Sequence, residues 1–212
     1  MIAVLLGPPG AGKGTQGERL AAHLGIPKVA TGDVLRAAVR DGTEQGLSAK
    51  AFMDRGDLVP DSVILGMMKE VLTSPDAARG AILDGVVRTV PQAEGLTIML
   101  AELGRKVDKF VLFDVAENEL VMRLGGRTVC ENCQTPYRGL EPGADCEKCG
   151  GTLVRRKDDE PESIRNRLRV YEAQTAPVIE WAKEKKMCLV TVDATGPVEA
   201  ITDRALKALL EE

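Results

Sequence analysis

Residues 7–16 read GPPGAGKGTQ, directly after the apolar run IAVLL (2–6) and directly before a helical pattern over 13–24. A glycine-rich turn between a buried strand and a helix lets successive backbone N–H groups face one concavity at the positive end of the helix, which is a seat for phosphate. Gly10, Ala11, Gly12, Lys13, Gly14 and Thr15 are therefore the candidate binders of a triphosphate, with Lys13 reaching its outer phosphates. The competing reading is a bare strand-to-helix turn, but G-x4-G-K-G arises by chance only about 0.004 times in a chain of this length. The residue after Lys13 is Gly14, and the hydroxyl of Thr15 comes one position later. Direct ligation of magnesium by that hydroxyl does not follow from the pattern. Asp84, closing the strand-like run AILD (81–84), can hold magnesium through water as the acid at a strand end does in such folds, and Asp33 is a second candidate.

Further strand-like runs lie at KFVLFDV (109–115) and MCLVTVD (187–193), with helical patterns at 61–73, 91–103, 116–125, 160–185 and 197–211. This alternation predicts an α/β fold of the P-loop NTPase type, a parallel sheet covered by helices on both faces. Two stretches fall outside it. Residues 30–59 read as short helices broken by glycines, and 122–159 carry paired cysteines and no long apolar period. The expected organisation is a core of 1–29, 60–121 and 160–212, a small helical insertion at 30–59 and a second insertion at 122–159.

The net charge of -4 gives no general drive toward nucleic acid or an anionic membrane, and 3% aromatic residues leave few platforms for stacking bases. MIAVLLG reads as a first strand, not a signal peptide, and no apolar stretch approaches the ~20 residues of a membrane span. The expectation is a cytoplasmic protein without nucleic-acid or membrane partners.

Cys130, Cys133, Cys146 and Cys149 form C-x2-C-x12-C-x2-C. Two such knuckles point four thiolates at one metal and close its coordination sphere, so the pattern predicts one structural zinc ion per chain, with iron the alternative metal and two disulfides the alternative chemistry. The metal would replace the hydrophobic core that an insertion of this size cannot build. Cys188 has no partner in the pattern and reads as core.

GPPGAGKGTQ, TGDVLRAA (31–38), LDGVVRTVPQ (83–92) and RKDDEPESIRNRL (156–168) fall in the order and spacing of adenylate kinases, and the chain resembles the bacterial type with a long four-cysteine lid across nearly its whole length. That resemblance implies magnesium-dependent, reversible phosphoryl transfer from ATP to AMP giving two ADP, by a monomer. The 30–59 insertion then binds AMP and the 122–159 insertion is the lid over ATP. It also assigns residues. Lys13, Arg88, Arg123, Arg156 and Arg167 would serve catalysis, Arg123 and Arg127 would join the P-loop in holding ATP, and Thr31, Arg36, Val59, Gly85, Arg88, Gln92, Arg156 and Arg167 would hold AMP. Several cations suit the chemistry, since the paired nucleotides carry about six negative charges. No general base is needed, and His23 reads as a surface or packing residue.

One departure stands out: Val86-Val87 occupies the place of the family's Phe-Pro, and two β-branched residues favour extended backbone and a longer strand. Two other readings remain. A UMP/CMP-type kinase would share the P-loop and arginines, but Gln92 and the long lid disfavour it. A non-catalytic nucleotide-sensing module with a zinc ribbon is disfavoured by the acidic balance and few aromatics.

Overall fold

The computed structural model describes residues 1–211, and the backbone alone of Gln45. In chain order the elements begin with β1 (Ile2–Leu6), α1 (Lys13–Leu24), β2 (Lys28–Ala30), α2 (Thr31–Arg40), α3 (Glu44–Arg55) and α4 (Asp61–Thr73). Next come β3 (Ala81–Asp84), α5 (Val90–Glu102), β4 (Lys109–Asp114), α6 (Glu117–Gly125), β5 (Arg127–Cys130), β6 (Pro136–Arg138) and β7 (Leu153–Val154). The chain closes with α7 (Pro161–Val170), α8 (Ala176–Glu184), β8 (Leu189–Asp193) and α9 (Val198–Leu210).

Five strands form a parallel sheet in the order β2-β3-β1-β4-β8. β1 lies at its centre, and no residue of β1 is more than 2% exposed. Its side chains alternate between two cores. Ile2, Val4 and Leu6 join Met68 of α4, Leu96 of α5 and Trp181 of α8 on one face, while Ala3 and Leu5 join Leu20 of α1 and Ile201 of α9 on the other. Burial on both faces is why the strand reads as an unbroken apolar run. The chain leaves β1 for α1 where the strand order reverses, the place where open α/β sheets bind ligands.

β5, β6 and β7 form a separate antiparallel sheet of three strands, with few apolar residues to bury. Its buried cluster is Cys130, Cys146 and Leu153.

Several sequence expectations need correction. The helical pattern at 160–185 is not one regular helix: residues 171–175 wind as a π turn between α7 and α8. Pro177 supplies the cause, since in a regular α-helix its ring would press on the carbonyl of Ala173. Cys188 is exposed and precedes β8, so it is not core. β2, only three residues long, carries too little periodicity to announce itself. Val86 and Val87 do not lengthen β3, because Gly85 at φ 68° turns the backbone out of the strand and buries both valines, 1% and 2% exposed.

Candidate active site

The turn after β1 is shaped by glycine. Gly7 sits at φ 136°, and a Cβ there would lie 2.6 Å from the carbonyl oxygen of Phe113 in β4, so only glycine lets the loop pass. Gly12 ends the loop as the N-cap of α1 at φ 91°, with no side chain capping the helix. The first N–H groups of α1 are thus left to a ligand. Lys13 folds back over the loop, its Nζ donating to the carbonyls of Gly7 at 2.6 Å and Pro8 at 2.9 Å. Burial pushes its pKa down to about 8, against the opposing pull of Asp84 and with help from Arg88, Arg167 and Arg127. Asp84 pairs in register with Leu5 of β1, and its Oδ2 would lie 3.5 Å from a Cβ at Gly14. The strand-end carboxylate therefore stands against the start of α1.

Arginines converge on the same point from three parts of the chain. Arg88 follows β3, Arg127 begins β5, and Arg167 lies on α7. Arg127 makes a two-pronged contact with Asp159, Nε to Oδ2 at 2.8 Å and Nη2 to Oδ1 at 2.6 Å. Arg167 Nη1 donates to Asp159 Oδ1 at 3.0 Å and to Asp158 Oδ2 at 2.9 Å. Asp159, with its side chain 3% exposed, thereby fixes two guanidiniums at a set distance. Burial, together with Arg36 and Arg127, presses the pKa of Arg156 down, and burial with Arg167 does the same to Arg88. A guanidinium keeps its proton at physiological pH, so these shifts register the burial of charge and, after it, repulsion between the arginines, both of which a bound polyanion would offset. Nε of Arg36 and Nε of Arg156 are buried with no hydrogen-bond partner. Two orphaned donors in a positive cleft are what an incoming phosphate would satisfy.

Two adjoining clefts open around this cluster. One, between α2, α3 and the turn after β3, is lined by Thr31, Arg36, Val59, Gly85, Arg88 and Gln92. The other runs along the P-loop past Lys13, Tyr171 and Thr175. Arg88 and Arg167 line both. Thr31, the first residue of α2, donates to the carbonyl of Gly85 at 2.8 Å. Gln92 is 2% exposed. Its Oε1 accepts the N–H of Arg88 at 2.7 Å, and its Nε2 donates to Asp61 Oδ1 at 2.7 Å. Asp33 is engaged by Arg36 and by Lys28, the latter at 3.4 Å, and their charges hold its carboxyl below the usual range despite partial burial.

The insertions are docked against the core. Ser163 and Asn166 of α7 donate to the carbonyls of Asp54 and Arg55 at the end of α3, at 3.2 and 2.8 Å. Lys148, between the second pair of cysteines, reaches Glu18 of α1 at 3.0 Å.

The four paired cysteines come together, every Sγ within 4.8 Å of the others. Cys130 and Cys149 approach to 3.5 Å, Cys133 and Cys146 to 3.6 Å. Four sulfurs about 2.3 Å from one tetrahedral ion stand about 3.8 Å apart, so the set fits a metal such as zinc. All are free thiols at separations no disulfide has.

A family model described as adenylate kinase matches residues 5–187. A protein of Gemmatimonas aurantiaca named adenylate kinase is 65% identical over 211 residues, covering 99% of each chain. Adenylate kinases of Salinispora tropica and Archaeoglobus fulgidus are 45% and 46% identical, the first covering 99% of this chain and 98% of its own, the second 100% and 99%. The chain belongs to the adenylate kinase family. It is thus a nucleoside monophosphate kinase.

Not all expected residues share one place. Lys13, Arg88, Arg127, Arg156 and Arg167 form the cluster, with Arg36 at its edge. Arg123 is instead 8% exposed and turned to Glu119 and to the carbonyl of Ala194, the latter at 2.8 Å. Sequence reading missed several residues. Asp158 and Asp159 fall within RKDDEPESIRNRL, but only their bonds to Arg127 and Arg167 reveal their part. Arg138 of β6 stands directly opposite Arg127 of β5, a like-charged pair that an anion would relieve. No sequence signal predicts that pairing. Thr175 and Asp61 act through backbone and amide contacts that sequence spacing cannot show.

Proposed function

We propose that the chain catalyses reversible transfer of a phosphoryl group from ATP to AMP, with ATP on the P-loop and AMP in the cleft beneath α2 and α3. The observation that carries this reading is that the two clefts meet at Arg88 and Arg167, one step from Lys13. Gly10 to Thr15 wrap the ATP phosphates with backbone N–H groups, and Lys13 exchanges its carbonyl partners for phosphate oxygens. Arg36, Arg88 and Arg156 seat the AMP phosphate. Arg127, Arg156 and Arg167 then surround the group in transit, where preorganised charge is worth most. Arg123, held by the Ala194 carbonyl, flanks the ATP base. Thr31, Val59, Gly85 and Gln92 form the AMP base and sugar side of the cleft. The attacking AMP oxygen is already anionic, so positioning and charge suffice without a general base.

Magnesium, when bound with ATP, neutralises phosphate charge and orients its oxygens. Asp84, the strand-end carboxylate beside the start of α1, would hold it through water. Asp33, already engaged by two cations, contributes chiefly by orienting Arg36. Zinc is the lid metal we assign to Cys130, Cys133, Cys146 and Cys149, with a structural role. A monomer in the cytoplasm fits this reading, and among the described residues no helix is long and apolar enough to cross a membrane.

A coupled assay with magnesium, ATP and each nucleoside monophosphate in turn tests the assignment. AMP should be the preferred acceptor by a wide margin. Equal or better use of UMP or CMP would replace the reading with a pyrimidine nucleotide kinase, and turnover of none would replace it with a binding module.

A further inference from the structure

Asp61 is the first residue of α4, outside the ring of arginines, and both of its carboxylate oxygens are taken. Oδ2 accepts the hydroxyl of Thr89 at 3.2 Å and Oδ1 accepts Gln92 Nε2 at 2.7 Å. At the other end of the same amide, Gln92 Oε1 accepts the backbone N–H of Arg88 at 2.7 Å. A carboxylate only accepts and a peptide N–H only donates, so the amide has one permitted orientation between them. Turning it over would set its oxygen against the carboxylate and its NH2 against the Arg88 N–H. Of the amide's four hydrogen-bonding positions these contacts use two. One N–H and one oxygen lone pair remain, and Gln92 lines the monophosphate cleft.

We infer that Asp61 is a positioning residue for base selection: by fixing the orientation of the Gln92 amide, it makes the cleft accept a 6-aminopurine and reject a 6-oxopurine. The inference rests on the assignment of Gln92 to the AMP base. A 6-aminopurine offers a donor at its exocyclic nitrogen beside an acceptor at a ring nitrogen, which complements the free lone pair and N–H of the fixed amide. A 6-oxopurine in the same seat offers an acceptor where the donor was. It is accommodated only if the amide flips, and the negative charge of Asp61 is the larger obstacle to flipping, since the other is a neutral N–H. Thr89 steadies Asp61, and its Oγ1 also accepts the N–H of Gln92 at 3.2 Å, so the four groups form one closed unit at the start of α5. A purely structural Asp61 would affect all acceptors alike, whereas an orienting one alters their ratio.

The test compares kcat/KM for AMP and for IMP, which differs from AMP at position 6 and the adjoining ring nitrogen. Asp61→Asn keeps the shape but can accept or donate, so a flipped Gln92 finds a partner. We expect the AMP to IMP ratio to fall about tenfold, with AMP use within about threefold of the unmodified enzyme and KM for ATP unchanged. Gln92→Ala is assayed alongside. If Gln92→Ala collapses the ratio and Asp61→Asn leaves it within twofold, Gln92 reads the base and the inference about Asp61 is wrong. If Gln92→Ala itself preserves the ratio, the underlying assignment of Gln92 falls and takes the inference with it. Should Asp61→Asn fail to fold, neutron diffraction on the unmodified enzyme with AMP decides: two deuterons on the Gln92 atom facing Asp61 support the inference, and a bare oxygen there contradicts it.

Discussion

The hydroxyl of Thr175, in the π turn before α8, donates to the carbonyl of Arg88 at 2.8 Å. The N–H of Arg88 is held at the same time by Gln92, and its own Nε donates to the carbonyl of Gly85 at 3.1 Å. The backbone of the arginine shared by both clefts is thus pinned on each side, and the π turn is what brings Thr175 to it. An irregular helix turn at such a place is a positioning device.

Thr175→Val keeps the shape and deletes one donor. It should cost about 1–3 kcal/mol of stability, since the carbonyl it leaves is partly buried. Loosening Arg88 should also lower kcat/KM for AMP about fivefold while changing KM for ATP little. Urea unfolding and steady-state kinetics measure both. A variant that loses stability alone would show that the contact only holds the helix.

Lys13 carries a pH dependence. Its pKa in the free enzyme, about 8, lies below the ordinary 10.5. In the proposed assignment charged Lys13 holds phosphate, so kcat/KM for ATP should decline as pH rises through about 8, and bound ATP should shift that decline upward. For folding the sign is opposite to that of a favourable ion pair. The unfolded chain holds this proton more tightly, so the cost is fully present below pH 8 and disappears as pH rises toward 10.5. Lys13→Met should therefore abolish turnover yet raise the melting temperature of the nucleotide-free enzyme at pH 7.

Cys130→Ala breaks the lid cluster. Because the buried hydrophobic cluster of the four-cysteine segment is no larger than Cys130, Cys146 and Leu153, that segment has little apolar core to hold it. Loss of the metal should lower the melting temperature by several degrees while turnover persists at low temperature. Metal analysis should give one ion per chain before the substitution and none after. A variant with unaltered melting would remove the structural role.

Val86 and Val87 sit in the main core. Replacing them with Phe-Pro should overpack it and cost about 1–3 kcal/mol, a loss read by thermal unfolding. If AMP binding were limited by this pair, kcat/KM for AMP would rise all the same, more than for ATP. Unchanged or lower AMP use would mark the valines as an accommodated variation.

The parts of the molecule that sequence made legible are those where one short segment carries the whole physical signal. β1 and the P-loop are such a case: a buried run, glycines at fixed offsets and a lysine need no distant partner. α1 and α4 begin and end where the apolar period does. The cysteine spacing likewise predicts a cluster that forms. What stayed hidden depends on contacts far apart in the chain. Asp61 meets Gln92 across 31 positions, and Thr175 meets Arg88 across 87. The exposure of Cys188 was missed because an apolar neighbourhood in sequence, MCLVTVD, sits at the sheet's edge, where β8 pairs on one side only. The π turn escaped because a helical period survives one extra residue.

The central claim is direct transfer between two nucleotides held together where the clefts meet at Arg88 and Arg167. Its sharpest test is the fate of the γ-phosphorus of ATP labelled at that position, incubated with magnesium, AMP carrying a separate label in its adenine, and the enzyme. The account predicts that the phosphorus label appears as the β-phosphate of ADP bearing the adenine label, in step with ATP consumption and with negligible inorganic phosphate. Release of the label as inorganic phosphate at a comparable rate, or its transfer only to other acceptors, would contradict it.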